Sequence, residues 1–426
     1  MMKRYLYLPE YYDLVVGDTF ELFYRGLVNA VTSDIYDFEP YFEDGKNRGQ
    51  SFARKYSFTP KEEDVGNHLM HIRLWSNEGE VLEEGQVTLR VVPPPRSPRE
   101  ERVVLLVGAS DAGPGIWPAE VGRRLVGTGG EPEGQGLTNI TFLGSRERDG
   151  IRYEGYGGWC FPSYLSANHR NDFMILSGDF RDKHPDHDQH SFYRDEQGGV
   201  WKLETIGDDR MKIICTSALG ALPSVEGGRL VHSSGGVNRG DIVYTSAVRA
   251  DANPFWDSEA GRVDFRKYAA RFGKDRIDEV VVTLGWNSYR QPKEVYKEYA
   301  RRFAEAVLSD FPECHITYVG MILPTRDGNG ANYGVSWGWF PRLATMREFD
   351  DARIELTREE GYGGRLSFVH LAPLYDSEYN SLRKPIPVNI RSGETVVIPA
   401  NSLHAAEGGS LQIADAIFRH LAARFQ

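Results

Sequence analysis

Cysteine is scarce in this chain: three residues in 426, Cys160, Cys215 and Cys314. A scattered, odd-numbered set excludes a disulfide framework, and no pair has metal-ligand spacing. Buried free thiols are expected. Basic excess is also missing. Lys and Arg number 50 against 61 Asp and Glu, giving a net charge of −11. A phosphate-tracking protein needs a concentrated positive surface, so nucleic acid is not an expected partner. No apolar run approaches the roughly 20 residues of a membrane-spanning helix, so no membrane partner is expected. The start, Met1-Met2-Lys3-Arg4-Tyr5-Leu6-Tyr7-Leu8-Pro9, carries positive charge but no apolar core before the proline. It does not read as a secretory signal, which leaves the location cytoplasmic or unassigned. Repeats and low-complexity tracts are absent. What is present is a globular composition, 40% hydrophobic and 26% charged. The length suffices for about two or three domains.

Residues 1–95 read as short strands. Segments such as Thr19-Phe20-Glu21-Leu22-Phe23-Tyr24, His68-Leu69-Met70-His71-Ile72-Arg73-Leu74-Trp75 and Val87-Thr88-Leu89-Arg90-Val91-Val92 have period-2 or β-rich character. Polar turns separate them, and the expectation is an all-β, immunoglobulin-like sandwich. Pro93-Pro94-Pro95 and Pro98 then suit a stiff connection, taken as a linker over 96–101. From Arg102 apolar strands (103–107, 280–284, 315–319, 366–369) alternate with helical patterns (293–308, 342–359, 410–425). This is a βαβ series and predicts an α/β domain over 102–426 with a mostly parallel sheet. The pattern breaks at about 170–270. There Phe192 to Leu203 reads as a hairpin around Gly198-Gly199, so this span is expected to be an insertion.

Four distant segments carry chemistry. Val103-Val104-Leu105-Leu106-Val107 is a strand covered on both faces, and it stops in Gly108-Ala109-Ser110. Ligands of open α/β sheets bind where such strands end, and a serine placed there can be a nucleophile. Glu154-Gly155-Tyr156-Gly157-Gly158-Trp159 offers glycines whose backbone N–H groups can approach a ligand. Asn287, in Leu284-Gly285-Trp286-Asn287, follows another buried strand, and its amide can donate to an oxyanion. His404, in Pro399-Ala400-Asn401-Ser402-Leu403-His404, precedes the last helix and can be a base. Singly, each has a plainer reading: a helix cap, a turn, a structural histidine. Their joint placement at element boundaries is what points to a site.

With these motifs the region from Arg102 onward resembles the SGNH (GDSL-like) hydrolases. The resemblance is carried by Gly108-Ala109-Ser110, Glu154 to Trp159, Leu284 to Asn287 and the ending His404…Gly408…Gln412-Ile413-Ala414-Asp415-Ala416-Ile417. It implies a three-layer α/β/α, flavodoxin-like fold and an esterase, most often one acting on O-acetylated carbohydrate. Ser110 would be the nucleophile, His404 the base and Asn401 its orienting neighbour. Ser110, Gly158 (or Gly157) and Asn287 would form the oxyanion hole. No cofactor or metal is implied. Three positions depart from the family pattern. Ala109 replaces the aspartate before the serine, and Asp111 follows it instead. Asn401 stands where an aspartate is usual, and Ala405 where a proline is usual. An asparagine can orient an imidazole but cannot stabilise imidazolium, and such a change can cost about 10⁴ in turnover. Three outcomes follow: a dyad with a backbone carbonyl, a substitute carboxylate such as Asp376, or a degenerate glycan-binding or structural (surface or virion) protein.

Trp159, Trp286, Asn332 and Tyr333 are candidate substrate contacts, because aromatic faces stack on apolar sugar faces. Asn380-Ser381, Arg383-Lys384 and Asn389-Ile390-Arg391 are further polar loop candidates. His184-Pro185-Asp186-His187-Asp188-Gln189-His190 concentrates metal-binding types but reads as a solvated loop without a second cluster. The expected partner is a small-molecule or glycan ester. Composition and motifs leave the oligomeric state unknown.

Overall fold

A computed structural model describes residues 5–166, 173–183, 191–206, 209–216, 224–236, 238, 240–250, 253–289, 291–325, 339–399, 401 and 403–426. The chain divides into two compact units, Met1–Cys160 with Ala269–Gln426, and Phe161–Tyr268.

The first unit is organised around a seven-stranded sheet. Its strands are β1 (Arg102–Gly108), β2 (Ile140–Leu143), β3 (Arg146–Arg148), β4 (Ile151–Gly155), β5 (Glu279–Val282), β6 (His315–Val319) and β7 (Leu366–Val369). The order is β3-β4-β1-β5-β6-β7, with β2 also on β1. All pairings are parallel except the short β3–β4 edge. β1 is central and its residues Val103–Val107 are fully buried, as a continuous apolar run requires. The helices are α1 (Ile116–Val126), α2 (Lys293–Asp310), α3 (Trp339–Thr357) and α4 (Glu407–Arg424). α1 packs on α4 and α2 on α3. Tyr296 of α2 stacks flat on Phe349 of α3 with centroids 3.9 Å apart. In α4, Ile413, Ile417 and Leu421 are buried at helical spacing, and from Ala416 to Ala422 every residue is buried, so the second half of the helix is covered on all sides.

The N-terminal strands form two sheets. One is ordered Tyr11–Val15, Val81–Val92, Gly66–Ser76, Tyr36–Phe42, and the other Phe20–Phe23, Lys55–Phe58, Gln50–Ser51. Their inward residues Leu14, Phe20, Ile72 and Leu89 share one continuous core with Val104 and Leu106 of β1, Trp117 of α1 and Ile417 of α4. The proline-rich segment therefore joins parts of one unit, and the contact boundary falls at Cys160 and Ala269 rather than near residue 95.

Charge locks this arrangement. Asp18 is buried between two guanidiniums, Arg124 of α1 and Arg419 of α4, each 2.5 Å from one of its oxygens. Arg419 also donates to the Thr19 carbonyl at 2.6 Å. Asp13 accepts from Arg90 and, at 2.8 Å, from His420 of α4.

The second unit holds a seven-stranded antiparallel sheet ordered Ile242–Tyr244, Gly228–Ser234, Phe192–Arg194, Val200–Ile206, Arg210–Cys215, Phe173–Ser177, Ser246–Ala250. Tyr193, Trp201, Leu203, Ile213 and Leu230 form its core. The turn after Phe192–Arg194 uses Gly198 at φ +86°. Asp195 caps it, accepting from the Gly199 amide and from the Trp201 indole, both at 2.8 Å. Cys215 and Cys314 are buried thiols outside any disulfide, and Cys160 is a half-buried one. Among the described residues no helix is long and apolar enough to cross a membrane.

Candidate active site

Every parallel strand of the sheet points its carboxyl end at one edge, and the site gathers there. Five strand ends contribute to one cavity of about 600 Å³: Ser110 after β1, Gly158 after β4, Asn287 after β5, Met321 after β6 and Leu371 after β7. His404 joins them from the loop ahead of α4.

The Ser110 turn sits close over the sheet because two paired glycines make room. Gly108 and Gly155 face each other across β1 and β4. A Cβ on either would come within 2.5 Å and 2.7 Å, respectively, of the Ala112 methyl. Asp111 ties the turn down. The residue keeps some exposure, but its carboxylate turns inward onto three donors: the Ala109 amide at 2.9 Å, the Thr283 hydroxyl at 2.5 Å and the Trp117 indole at 3.2 Å. Burial raises its pKa above the ordinary carboxylate value, against the pull of these hydrogen bonds. Thr283, its partner, carried no signal in the sequence.

Ser110 Oγ lies 2.7 Å from His404 Nε2. The loop that carries His404 is held by Asn380 and Ser381. The Asn380 carbonyl accepts from the Ala406 amide at 2.8 Å, and Ser381 bridges Ala405. These two residues, expected near substrate, thus shape the loop of His404. Asn401 is buried. Its Oδ1 accepts from the backbone amides of Leu403 and His404, at 2.8 and 3.0 Å. That fixes which end of the side chain faces the ring: Nδ2 lies 3.0 Å from His404 Nδ1. An amide NH₂ can only donate, so Nδ1 must accept, and the ring proton is driven onto Nε2. Asp376 is engaged elsewhere, with Arg54 at 2.9 Å and the backbone amide of Glu378.

Desolvation lowers the His404 pKa below the ordinary 6.5, partly opposed by the charge of Asp111. A lowered value keeps the imidazole neutral to more acidic pH. The acid limb of any Ser110–His404 reaction is therefore expected below pH 6.5. A pH–rate profile of kcat/KM checks this; a limb at or above that value refutes the desolvated site.

Gly158 has φ +80°, a conformation that suits glycine, and a Cβ there would meet nothing within 4 Å. Gly158 lines the cavity. Gly157 has no such dihedral and does not line the cavity. Asn287 sits on a short turn, Trp286–Ser288, whose leading strand end is held from beneath. The Leu284 carbonyl accepts from Tyr296 at 2.8 Å and from Arg353 at 2.5 Å. Asn287 Nδ2 donates to the Trp159 carbonyl at 2.9 Å. One N–H of that amide is thereby spent on locking the Gly158–Trp159 segment, and the second remains for a ligand. Trp159 itself is buried and stacks on Tyr156 at 4.5 Å. Trp286 lines the cavity, backed by the Arg342 guanidinium at 4.4 Å. Arg383 and Asn389 make hairpin hydrogen bonds: Arg383 donates to the Glu378 carbonyl, and Asn389 Oδ1 accepts from Arg391 N. Asn332, Tyr333 and the 184–190 histidine loop lie outside the described residues. Among the described residues no cluster of three metal-ligating side chains occurs.

No family model matches the chain, and no curated protein matches it. Solved structures do. It is similar to a peptidoglycan O-acetylesterase at 11% identity, covering 76% of this chain and 92% of that one, with a TM-score of 0.34. It is similar to a carbohydrate esterase family 2 enzyme plus carbohydrate-binding domain from Corynascus thermopiles (Myceliophthora fergusii), at 13% identity, 99% and 98% coverage and a TM-score of 0.32. A structure described as a possible lipase from Chitinophaga pinensis matches at 14% identity, 75% and 99% coverage and a TM-score of 0.35. At such distances the likenesses carry no argument about activity, and the chemistry rests on the residues.

Proposed function

We propose that this protein is a serine ester hydrolase that works by acyl transfer. The observation that carries the reading is the 2.7 Å contact between Ser110 Oγ and His404 Nε2, at the mouth of a cavity that Gly158 and Asn287 also line. In the productive tautomer His404 Nε2 takes the Ser110 proton as Oγ attacks an ester carbonyl. The oxyanion is received by the Ser110 and Gly158 amides and the Asn287 side chain, each worth up to about 3–4 kcal/mol in a dry site. His404 returns the proton to the leaving alcohol. Water, activated by the same ring, then releases the acid. The resemblance to SGNH hydrolases points to an O-acylated carbohydrate as substrate, with acetyl the smallest acyl group. The separate packing of α1 with α4 and of α2 with α3 supports a three-layer fold.

A second reading has its own observation. The Asn401 amide donates toward His404 Nδ1 and so favours the tautomer that cannot accept the serine proton. A binding-only protein built on a retired catalytic site would look like this. Labelling with an alkyl fluorophosphonate, alongside hydrolysis of p-nitrophenyl esters, separates the two. Modification at Ser110 with measurable turnover is expected; in Ser110→Ala the labelling should be lost and the turnover should fall. Because triad members act as a unit, the fall in kcat is expected to be only about 10²-fold while Asn401 is present. Absence of both labelling and turnover leaves the binding reading.

A further inference from the structure

The cavity beside Ser110 is too large and too apolar for the group that the resemblance suggests. Its volume of about 600 Å³ falls in the range of sites that hold whole small molecules, roughly 300–1,000 Å³. An acetyl methyl is about water-sized, and a water takes about 30 Å³. Among the described residues the polar lining is the catalytic corner, where Asp111 and Thr283 already bond each other, and Glu407 and Ser410 at the start of α4. The rest of the described wall is largely aliphatic. Met321 and Ile322 follow β6, Leu371 follows β7, and Ile413 comes from α4, all four buried. Leu382 and Leu403 extend the same lining. Sugar hydroxyls seated against such a wall would find no partners, at about 1–3 kcal/mol for each one left unpaired. A hydrocarbon chain meets no such penalty.

We propose that this cavity is an acyl-chain site, and that the ester cleaved at Ser110 carries a medium-length aliphatic acyl group rather than acetyl. This rests on the esterase reading for its chemistry but not for its ligand. The acyl carbon bonds to Ser110 Oγ during turnover, the alcohol departs with the His404 proton, and the chain lies along Met321, Leu371 and Ile413. Water later restores Ser110 and frees the fatty acid. Burial of each further methylene is expected to raise kcat/KM about fourfold until the cavity is filled.

The test uses the full chain and p-nitrophenyl acetate, butyrate, hexanoate and octanoate. A rise in kcat/KM of at least about tenfold from acetate to octanoate is expected. Ser410, buried on α4 one turn before Ile413, faces the cavity. Ser410→Leu is expected to cut the octanoate-to-acetate ratio about tenfold, whereas partial misfolding would lower both rates and leave the ratio alone. Acetate as the fastest substrate, with a steady decline along the series, overturns the acyl site and leaves the esterase reading intact. Should no ester turn over, calorimetry with dodecanoate decides. Binding with a negative heat-capacity change upholds the site, and no binding overturns it.

Discussion

Asn401→Asp is expected to raise kcat by up to about 10⁴-fold. The present asparagine spends Oδ1 on two backbone amides, at 2.8 and 3.0 Å, which leaves an NH₂ facing His404 Nδ1 at 3.0 Å. Two donors cannot face each other, so the ring proton sits on Nε2, where Ser110 needs a lone pair. An aspartate of the same shape can accept from the same two amides with one oxygen and from Nδ1–H with the other. The tautomer reverses, and imidazolium gains a counter-charge in the transition state. The added carboxylate also raises the His404 pKa, so the acid limb of the variant should move up relative to the native chain. Steady-state kinetics give the rate change, and ¹⁵N shifts of the imidazole give the tautomer. An unchanged kcat with Nδ1 already protonated in the native chain would refute the argument.

Asp18→Ala is expected to destabilise the first unit by about 3–5 kcal/mol, because it leaves two buried guanidiniums facing an empty position. Arg124 and Arg419 have side chains only 1% and 7% exposed, so water cannot replace the lost carboxylate. The loss is a large fraction of the roughly 5–15 kcal/mol that holds a folded protein together. A melting temperature lower by at least about 6 °C should accompany it. Asp18→Asn keeps an acceptor but not the charge and should fall between. A change below about 1 kcal/mol for the alanine variant would mean the cluster is solvated in solution.

Much of the α/β frame was legible because burial writes itself into composition. Val103–Val107 is apolar at every position because both faces of β1 are covered. The apolar spacing of α4 showed in Ile413, Ile417 and Leu421. Other strands were silent. Tyr36–Phe42 carries Pro40 and buries only Phe38 and Phe42, as an edge strand does. Ile140–Leu143 and Ile151–Gly155 are short and pair with different stretches of β1. At the site, Ser110, Asn287 and His404 stood out because polar residues at the ends of apolar elements are conspicuous. The cavity wall did not, since Met321, Leu371 and Ile413 come from separate segments and look like ordinary core. Nor could the sequence tell which end of Asn401 faces the imidazole. Two backbone amides decide that, and they exist only once the loop has closed.

The Asp18 cluster has a consequence for how the chain is made. Its carboxylate is neutralised partly by Arg419, 401 residues downstream. A ribosome adding about 5–20 residues per second needs roughly 20–80 s to supply that partner. Until then Asp18 has only Arg124 of its two counter-cations, and the early sheets lack the helix that covers them. The nascent chain must keep an apolar surface and a half-paired acid waiting outside the tunnel, and that interval is when it most needs a chaperone.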